Sequence, residues 1–393
     1  MKNCINKPAR GFKKKEFINR SKAIENIFFE NSIDAILLTT EADIFYFTGF
    51  FTQFWQSPTR PWYVLLTPNS LPLAIIPSIG KKLMESCFVE EIHTWNSPDK
   101  DDEGISVLKK VIKNKISNNG KLGLMMGKET SLRMPLKYIN EIFYEIKKEN
   151  IIDVTKEIQK IRMIKSCSEI EKIRYVSNLT SKVFSKVPTW LNQGMTLIDV
   201  FKNFKIKLLE SGIDDVSYLV GAAGQGGYFD VISPPNDNAL KNGDILMMDT
   251  GCKWDGYYCD FDRNFALGYA TDESILAHEL LYKSIYKSLE KISPGITKFS
   301  TIFDQMNKIL KNENQNNLDI GRYGHGLGIQ LTEPPSNIFW DDTILEENMV
   351  LTLEPSIIYG KENFLMVAEE NIVITKNGYD FLSVPISSKL KII

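Results

Sequence analysis

Four aspartates stand in one short stretch, "MMDTGCKWDGYYCDFDRNFALG" (Met247–Gly268): Asp249, Asp255, Asp260 and Asp262. The residues around them read as β-strand, and carboxylates enter strands near a core only when something positive meets them. Downstream, three more apolar runs carry groups of the same kind. "GRYGHGLGIQLTEPPS" holds His325 between two glycines, "MVLTLEPSI" holds Glu354, and "MVAEENIVIT" holds Glu369 and Glu370. Taken singly, each acid is most simply a salt bridge or a solvated turn. Taken together, one imidazole and several carboxylates suit a borderline or hard divalent metal such as Mn, Fe, Co or Zn.

The elements that must position these groups are legible in part. "DILMMD" is a strand ending in Asp249, "GYYCDFDRNFALG" is a second strand, and "TGCKWD" between them can turn. Side chains at i and i+2 of a strand point the same way, so Asp260 and Asp262 share a face. Upstream, "AILL", "WYVLL", "LAIIP", "KLGLMM" and "IIDV" read as strands. "GISVLKKVIKNKI" and "LKYINEIFYEIKK" have helical spacing. That alternation predicts an α/β domain over residues 1–158. It stops near Glu157 to Lys165, and residues 159–393 read as a second, α+β domain. Its first helix is expected to open on a capping box of Ser168 and Glu171, with Ile173, Val176, Leu179 and Val183 on one face. Two more helices are expected near Leu197–Leu209 and Glu273–Ile292.

Composition narrows the classes. A net charge of −2 and a pI near 6.1 give no electrostatic footprint for nucleic acid or an anionic membrane. Five cysteines without a C-x-x-C pair argue against a disulfide framework. The basic start "MKNCINKPARGFKKKEF" has no apolar core of a leader, and no segment is long enough to span a bilayer. The expectation is a cytoplasmic protein. Lys13–Lys15 is read as a solvated helix start, and Cys252 and Cys259 as packing residues. "GAAGQGGYF" lacks the lysine of a phosphate-binding loop and is read as a pocket-lining loop.

The ordered set Asp249, Asp260, His325, Glu354 and Glu369 resembles the five metal ligands of the pita-bread metallopeptidase superfamily, which includes Xaa-Pro aminopeptidases, prolidases, methionine aminopeptidases and the metal-free creatinases. "GHGLG" at His325, "LEP" at Glu354 and Glu369 ahead of "IVIT" all fit. "DAILLTTEADIFYFTGF" is similar to the opening of the creatinase/prolidase N-terminal domain, and "IRMIKSCSEIEKIR" to the usual junction. The resemblance covers nearly the whole chain. It implies an α/β creatinase/prolidase-like N-terminal domain followed by an α+β pita-bread domain, with two bridged divalent metal ions. It also implies a homodimer or tetramer in which the N-terminal domain approaches the partner's active site, making Phe54, Trp55 and Arg60 of the aromatic run "FYFTGFFTQFWQSPTRPW" candidates for substrate contact.

Two departures qualify it. Peptidases of this superfamily use two further histidines, whose positions fall here on Ile232 and on Thr332, itself a candidate for substrate binding. The chain holds three histidines, and His93 and His278 are read as structural. Asp262 stands where the family usually has threonine or serine. Three function classes follow. The first is a dinuclear-metal hydrolase of a C–N bond in a small peptide or amino-acid derivative, with Glu333 or Asp262 as general base. The second is a metal-dependent lyase or hydrolase for a small cationic or zwitterionic metabolite, similar to dimethylsulfoniopropionate lyases, with Asp262 as substrate anchor. The third is a non-catalytic binding protein on the same scaffold, which predicts eroded ligands where none is eroded. For Asp262 the rival reading is a structural ion pair with a nearby arginine or lysine.

Overall fold

The computed structural model describes residues 6–57, 60–312 and 321–393. The described chain divides into two compact units, Ala9–Arg162 and one built on Met163–Ile393.

The first unit runs α1 (Lys14–Asn31), β1 (Ala35–Leu38), α2 (Glu41–Thr48), β2 (Tyr63–Leu66), β3 (Leu73–Pro77), α3 (Lys81–Met84), β4 (Glu91–Trp95), α4 (Ile105–Lys115), β5 (Leu122–Leu124), α5 (Leu136–Glu145), β6 (Ile151–Asp153) and α6 (Thr155–Met163). Its six strands form one mixed sheet in the order β4-β3-β2-β1-β5-β6. The short all-apolar strands are buried on both faces, as a sheet flanked by helices requires. Leu108, Val111 and Ile112 of α4 and Tyr138 and Ile142 of α5 pack on Leu37, Tyr63, Leu65 and Ile75. The expected strands and helices are present here. Strand β4, which carries His93, was not anticipated, because "EIHTW" is neither alternating nor fully apolar. His93 is half-buried on the sheet's edge beside Glu91.

The second unit runs α7 (Cys167–Phe184), α8 (Leu197–Glu210), β7 (Asp215–Gln225), β8 (Asp244–Trp254), β9 (Tyr257–Tyr258), β10 (Phe261–Ala266), α9 (Asp272–Leu289), α10 (Phe299–Asn312), β11 (His325–Gly326), β12 (Glu333–Ser336), β13 (Val350–Leu353), β14 (Ser356–Tyr359), β15 (Phe364–Val367), β16 (Glu370–Thr375), β17 (Gly378–Phe381) and β18 (Lys391–Ile392). The capping box that opens α7 is Ser166 with Glu169, two residues before the expected pair. Ser166 keeps an extended backbone while Glu169 returns to its N–H, so Ser168 and Glu171 lie inside the helix. Helix α10 was not anticipated. The glycine-rich stretch from Gly221 is strand as far as Gln225 and only then turns, and it lines a cavity of about 350 Å³ with Leu197 and Phe364.

Two sheets hold the unit together, β18-β10-β8-β7 and β12-β11-β13-β16-β17. Strand β8 shows why the acids lie where they do. Leu246, Met248 and Cys252 pack on Val176 of α7 and Phe201 and Phe204 of α8. Ile245 and Met247 point the other way, into a core shared with Leu351 and Leu353 of β13, Ile372 of β16 and helices α9 and α10. By the same alternation Asp249 belongs to this second face, between the two sheets.

Candidate metal centre

Each sheet brings part of the site. In the β8–β10 ladder Asp249 lies directly opposite Asp262, and Asp260 precedes β10 by one residue, so all three carboxylates share a face. In the other sheet β13 ends and β16 begins on the register pair Leu353↔Glu370. The antiparallel ladder therefore sets Glu354, just after β13, beside Glu369, just before β16. His325 opens β11, and its backbone N–H is held by Thr352 Oγ1 at 3.0 Å.

The two sheets meet at His325. Its Nε2 lies 3.6 Å from Asp260 Oδ2 and 3.8 Å from Glu354 Oε1, while Nδ1 donates to the Gly326 carbonyl at 2.9 Å. That bond fixes the tautomer and leaves the Nε2 lone pair facing the carboxylates, the orientation a metal ligand needs. Asp260, His325 and Glu369 each offer an atom within 4.8 Å of the others.

The electrostatics are those of a cluster that calls for a cation. Burial, followed by the charge of Asp249, pushes the Glu354 carboxyl up to about 8. Burial lifts Asp249 to about 7, although bonds from the Tyr218 hydroxyl and the Thr250 amide oppose this. Burial and mutual repulsion raise Asp260 and Glu369 as well. Burial also lowers His325 to about 4, keeping the imidazole neutral. Asp249 Oδ1, Asp260 Oδ1 and Glu369 Oε1 are buried with no hydrogen-bond partner. Buried carboxylate oxygens facing one another without donors fit a divalent ion, which neutralises the charge and fills the open positions.

Other expected site residues lie as follows. Glu333 is buried near His325 and engaged through both oxygens, by Lys165 Nζ at 3.1 Å and by the Gln330 amide at 3.0 Å. Thr332 is half-buried, and Ile232 is 74% exposed. Among the described residues Asp262 forms no ion pair, so the expected structural salt bridge is not present. Its neighbour Arg263 turns away, to Glu370 Oε2 and to the carbonyls of Asp262, Glu369 and Val384. Asp255 belongs to the turn after β8 and pairs with Lys172 at 2.5 Å, outside the cluster. His278 is buried, with Nε2 2.9 Å from the Ser387 carbonyl. Phe54, Trp55 and Arg60 lie in the first unit, where Trp55 packs on Trp62 and the Arg60 guanidinium sits over Phe54.

Three supporting residues were missed by reading the sequence. Asn371 clasps the Asp260 backbone, its Oδ1 accepting from the Asp260 N–H at 3.0 Å and its Nδ2 donating to the Asp260 carbonyl. Arg263 binds the Asp262 and Glu369 carbonyls and so ties together the backbones beside two acids. Tyr218 reaches Asp249 from β7. A polar residue two places after Glu369 was a readable signal for Asn371. Tyr218 had none, because its role depends on a bulged register between β7 and β8.

Comparison with known proteins places this architecture. Residues 171–376 match the model of metallopeptidase family M24, and residues 20–164 match that of the creatinase/prolidase N-terminal domain. A Xaa-Pro dipeptidase from Pyrococcus horikoshii is 25% identical over 370 residues, covering 91% of this chain and 94% of its own. A prolidase from Thermococcus sibiricus superposes with a TM-score of 0.84 at 22% identity, over 97% of this chain and 100% of that one. The N-terminal domain of a FACT complex subunit from chickpea superposes at 0.77 with 18% identity, over 96% and 98%. A fold common to a prolidase and a FACT subunit does not by itself assign an activity. The chain belongs to metallopeptidase family M24, with a creatinase/prolidase N-terminal domain ahead of the pita-bread domain, and by that membership it is a metal-dependent hydrolase.

Proposed function

We propose that this protein is a dinuclear-metal hydrolase that cleaves a C–N bond of a small peptide or amino-acid derivative, with Asp249, Asp260, His325, Glu354 and Glu369 as metal ligands. The observation that supports the reading is the gathering of Asp260, His325 and Glu369, each offering an atom within 4.8 Å of the others, with Glu354 Oε1 3.8 Å from His325 Nε2 and further buried oxygens of Asp249, Asp260 and Glu369 left without hydrogen bonds among the described residues. Two divalent ions bound there supply Lewis acidity and a water of lowered pKa. The chain's own residues do the rest. His325, with Nδ1 anchored, keeps its lone pair on the site. Asn371 and Arg263 hold the ligand backbones. Glu333, buried near His325 and fixed by Lys165 and Gln330, is the better-positioned general base.

The substrate is proposed to be unusual. The Xaa-Pro dipeptidase relative supports a dipeptide-like substrate, whereas Ile232 and Thr332 stand where the resemblance calls for histidines. Loss of one oxyanion or proton-transfer group costs on the order of a hundredfold or more in rate. Xaa-Pro dipeptides should therefore turn over poorly, while other dipeptides or amino-acid derivatives serve better. Phe54, Trp55, Arg60 and Thr332 as substrate contacts, a homodimeric state and a cytoplasmic location are proposed on the resemblance. Among the described residues no helix is long and apolar enough to cross a membrane.

The test is reconstitution with Mn, Fe, Co or Zn, then elemental analysis and mass-spectrometric assay of a panel of Xaa-Pro dipeptides, other dipeptides, betaines and guanidino acids. Two ions per chain and cleavage within the panel are expected. Failure to take up any of the four metals would sink the assignment. Rapid Xaa-Pro cleavage would sink the substrate reading alone.

A further inference from the structure

Asp262 is 2% exposed and is not among the five ligands assigned above. It faces Asp249 across the β8–β10 ladder and stands two residues from Asp260, on the same face as both. Its hydrogen bond from Asn264 Nδ2 is long, at 3.4 Å, because that amide is committed to the Val367 carbonyl at 2.6 Å and its Oδ1 accepts from Tyr228 at 2.9 Å. The nearby guanidinium of Arg263 is spent on Glu370 and three backbone carbonyls. A buried carboxylate with no cation costs several kcal/mol. A proton or a cation must offset that cost, and a carboxylate 2% exposed is reached by a bare ion more readily than by a bulky organic cation from solvent. Asp260 Oδ1 and Glu369 Oε1, both buried and without partners, open on the same cluster.

We propose that Asp262 is a sixth protein donor to the metal centre, bound beside Asp249. The inference rests on the metal-binding reading of the site. Five carboxylates and one imidazole make a harder donor set than the five-ligand arrangement, so the site favours Mn²⁺ or Fe²⁺ over Zn²⁺. Two divalent ions balance four carboxylates, and the fifth leaves the loaded centre net negative. A substrate carrying a positive group is then favoured over an anionic one.

The experiment uses the full chain, stripped with a chelator and titrated calorimetrically with Mn²⁺ or Zn²⁺. Wild type is compared with Asp262→Asn and Asp262→Thr, and thermal unfolding is recorded with and without Mn²⁺. Both variants should bind Mn²⁺ at least about tenfold more weakly, with a smaller loss for Zn²⁺. The metal-free Asp262→Asn protein should unfold at the wild-type temperature or above, since a repelling charge is gone, and the Mn²⁺-loaded one below it. A merely structural carboxylate would lower both temperatures. Mn²⁺ dissociation constants within twofold of wild type in both variants would overturn the proposal, because a substrate anchor or an acid sharing a proton with Asp249 gives that result. A wild-type protein that binds no metal removes the underlying metal reading instead, so the two failures are distinguishable.

Discussion

Two buried carboxylates, one in each unit, have met the same problem differently. Asp43 of the first unit is 2% exposed and lies 2.8 Å from the guanidinium of Arg162, itself 5% exposed. Asp260 of the second unit is 5% exposed and has only other acids and a neutral imidazole around its oxygens. The first unit carries its counter-charge in its own sequence. The second leaves it to a ligand. Elsewhere in the second unit buried charges are balanced internally, Lys165 by Glu333 and Glu370 by Arg263, so the uncompensated cluster is a local exception. A chain that pairs Asp43 and Glu370 with arginines leaves these five acids without an arginine ion pair among the described residues, which marks the cluster as a candidate functional site.

The largest effect should follow from removing a ligand. Asp260→Asn and Glu369→Gln are each expected to lower activity on the true substrate by at least ~10³, since the polarising charge is lost from a preorganised, water-poor site. Metal content measured on the purified variants should fall in parallel. Near-normal activity with reduced metal would break the contrast, because the cluster would then be no more functional than the Asp43–Arg162 pair.

The pH dependence of the metal-free protein sharpens the contrast further. Asp249 and Glu354 are pushed up to about 7 and about 8, and Asp260, Asp262 and Glu369 are raised as well. Between pH 4 and 8 the unfolded chain has released these protons and the native chain still holds them, so stability falls as pH rises. His325, lowered to about 4, acts oppositely between pH 4 and 6.5, but it is one group against five. Thermal unfolding without metal should therefore weaken from pH 5 to 8.5. With Mn²⁺ the trend should reverse, because the ion displaces those protons. Parallel pH profiles with and without metal would contradict the reading.

Breaking the internal pair tests the other side. Arg162→Met leaves Asp43 buried without its cation and should cost about 3–5 kcal/mol, read from denaturant unfolding. The cost should be the same with and without metal. A metal-dependent penalty would erase the distinction between the two units.

How legible this was depended on which interactions were local. The apolar runs that became β1, β2, β3 and β5 were readable because burial on both faces leaves continuous hydrophobic segments. The sharing of a face by Asp260 and Asp262 followed from strand period alone; the register sets Asp262 opposite Asp249, with Asp260 one residue ahead of β10. Strand pairing was not readable. The meeting of Glu354 with Glu369 depends on β13 lying against β16, and the clasp of Asn371 on Asp260 joins residues 111 apart. The rival reading of Asp262, an ion pair with a nearby arginine or lysine, failed for a related reason. Arg263 follows it immediately, but adjacent strand residues face opposite sides, and its guanidinium serves Glu370. The capping box was misplaced by two residues because "SCSEIE" offers two serines, each three residues before a glutamate, and only the packing of α7 selects between them.

Glu169, the glutamate of that box, is another buried carboxylate of the second unit. It is 3% exposed, and Oε2 accepts from the Ser166 amide at 2.8 Å while Oε1 accepts from the Tyr257 hydroxyl at 2.8 Å. The other half of the box is weaker, with the Ser166 hydroxyl accepting from the Glu169 amide at 3.2 Å. Ser166→Ala removes that half, leaves one N–H at the start of α7 unsatisfied, and keeps both bonds to the Glu169 side chain. The expected cost is about 1 kcal/mol, or a fall in Tm of roughly 2–4 °C for a unit of this size. Metal should not change the cost, since the cap touches none of the five ligands. A drop in Mn²⁺ affinity in Ser166→Ala would mean that the start of α7, which follows Lys165 directly, is mechanically coupled to the cluster through Glu333. The capping box and the cluster would then be one connected system rather than two separate ones.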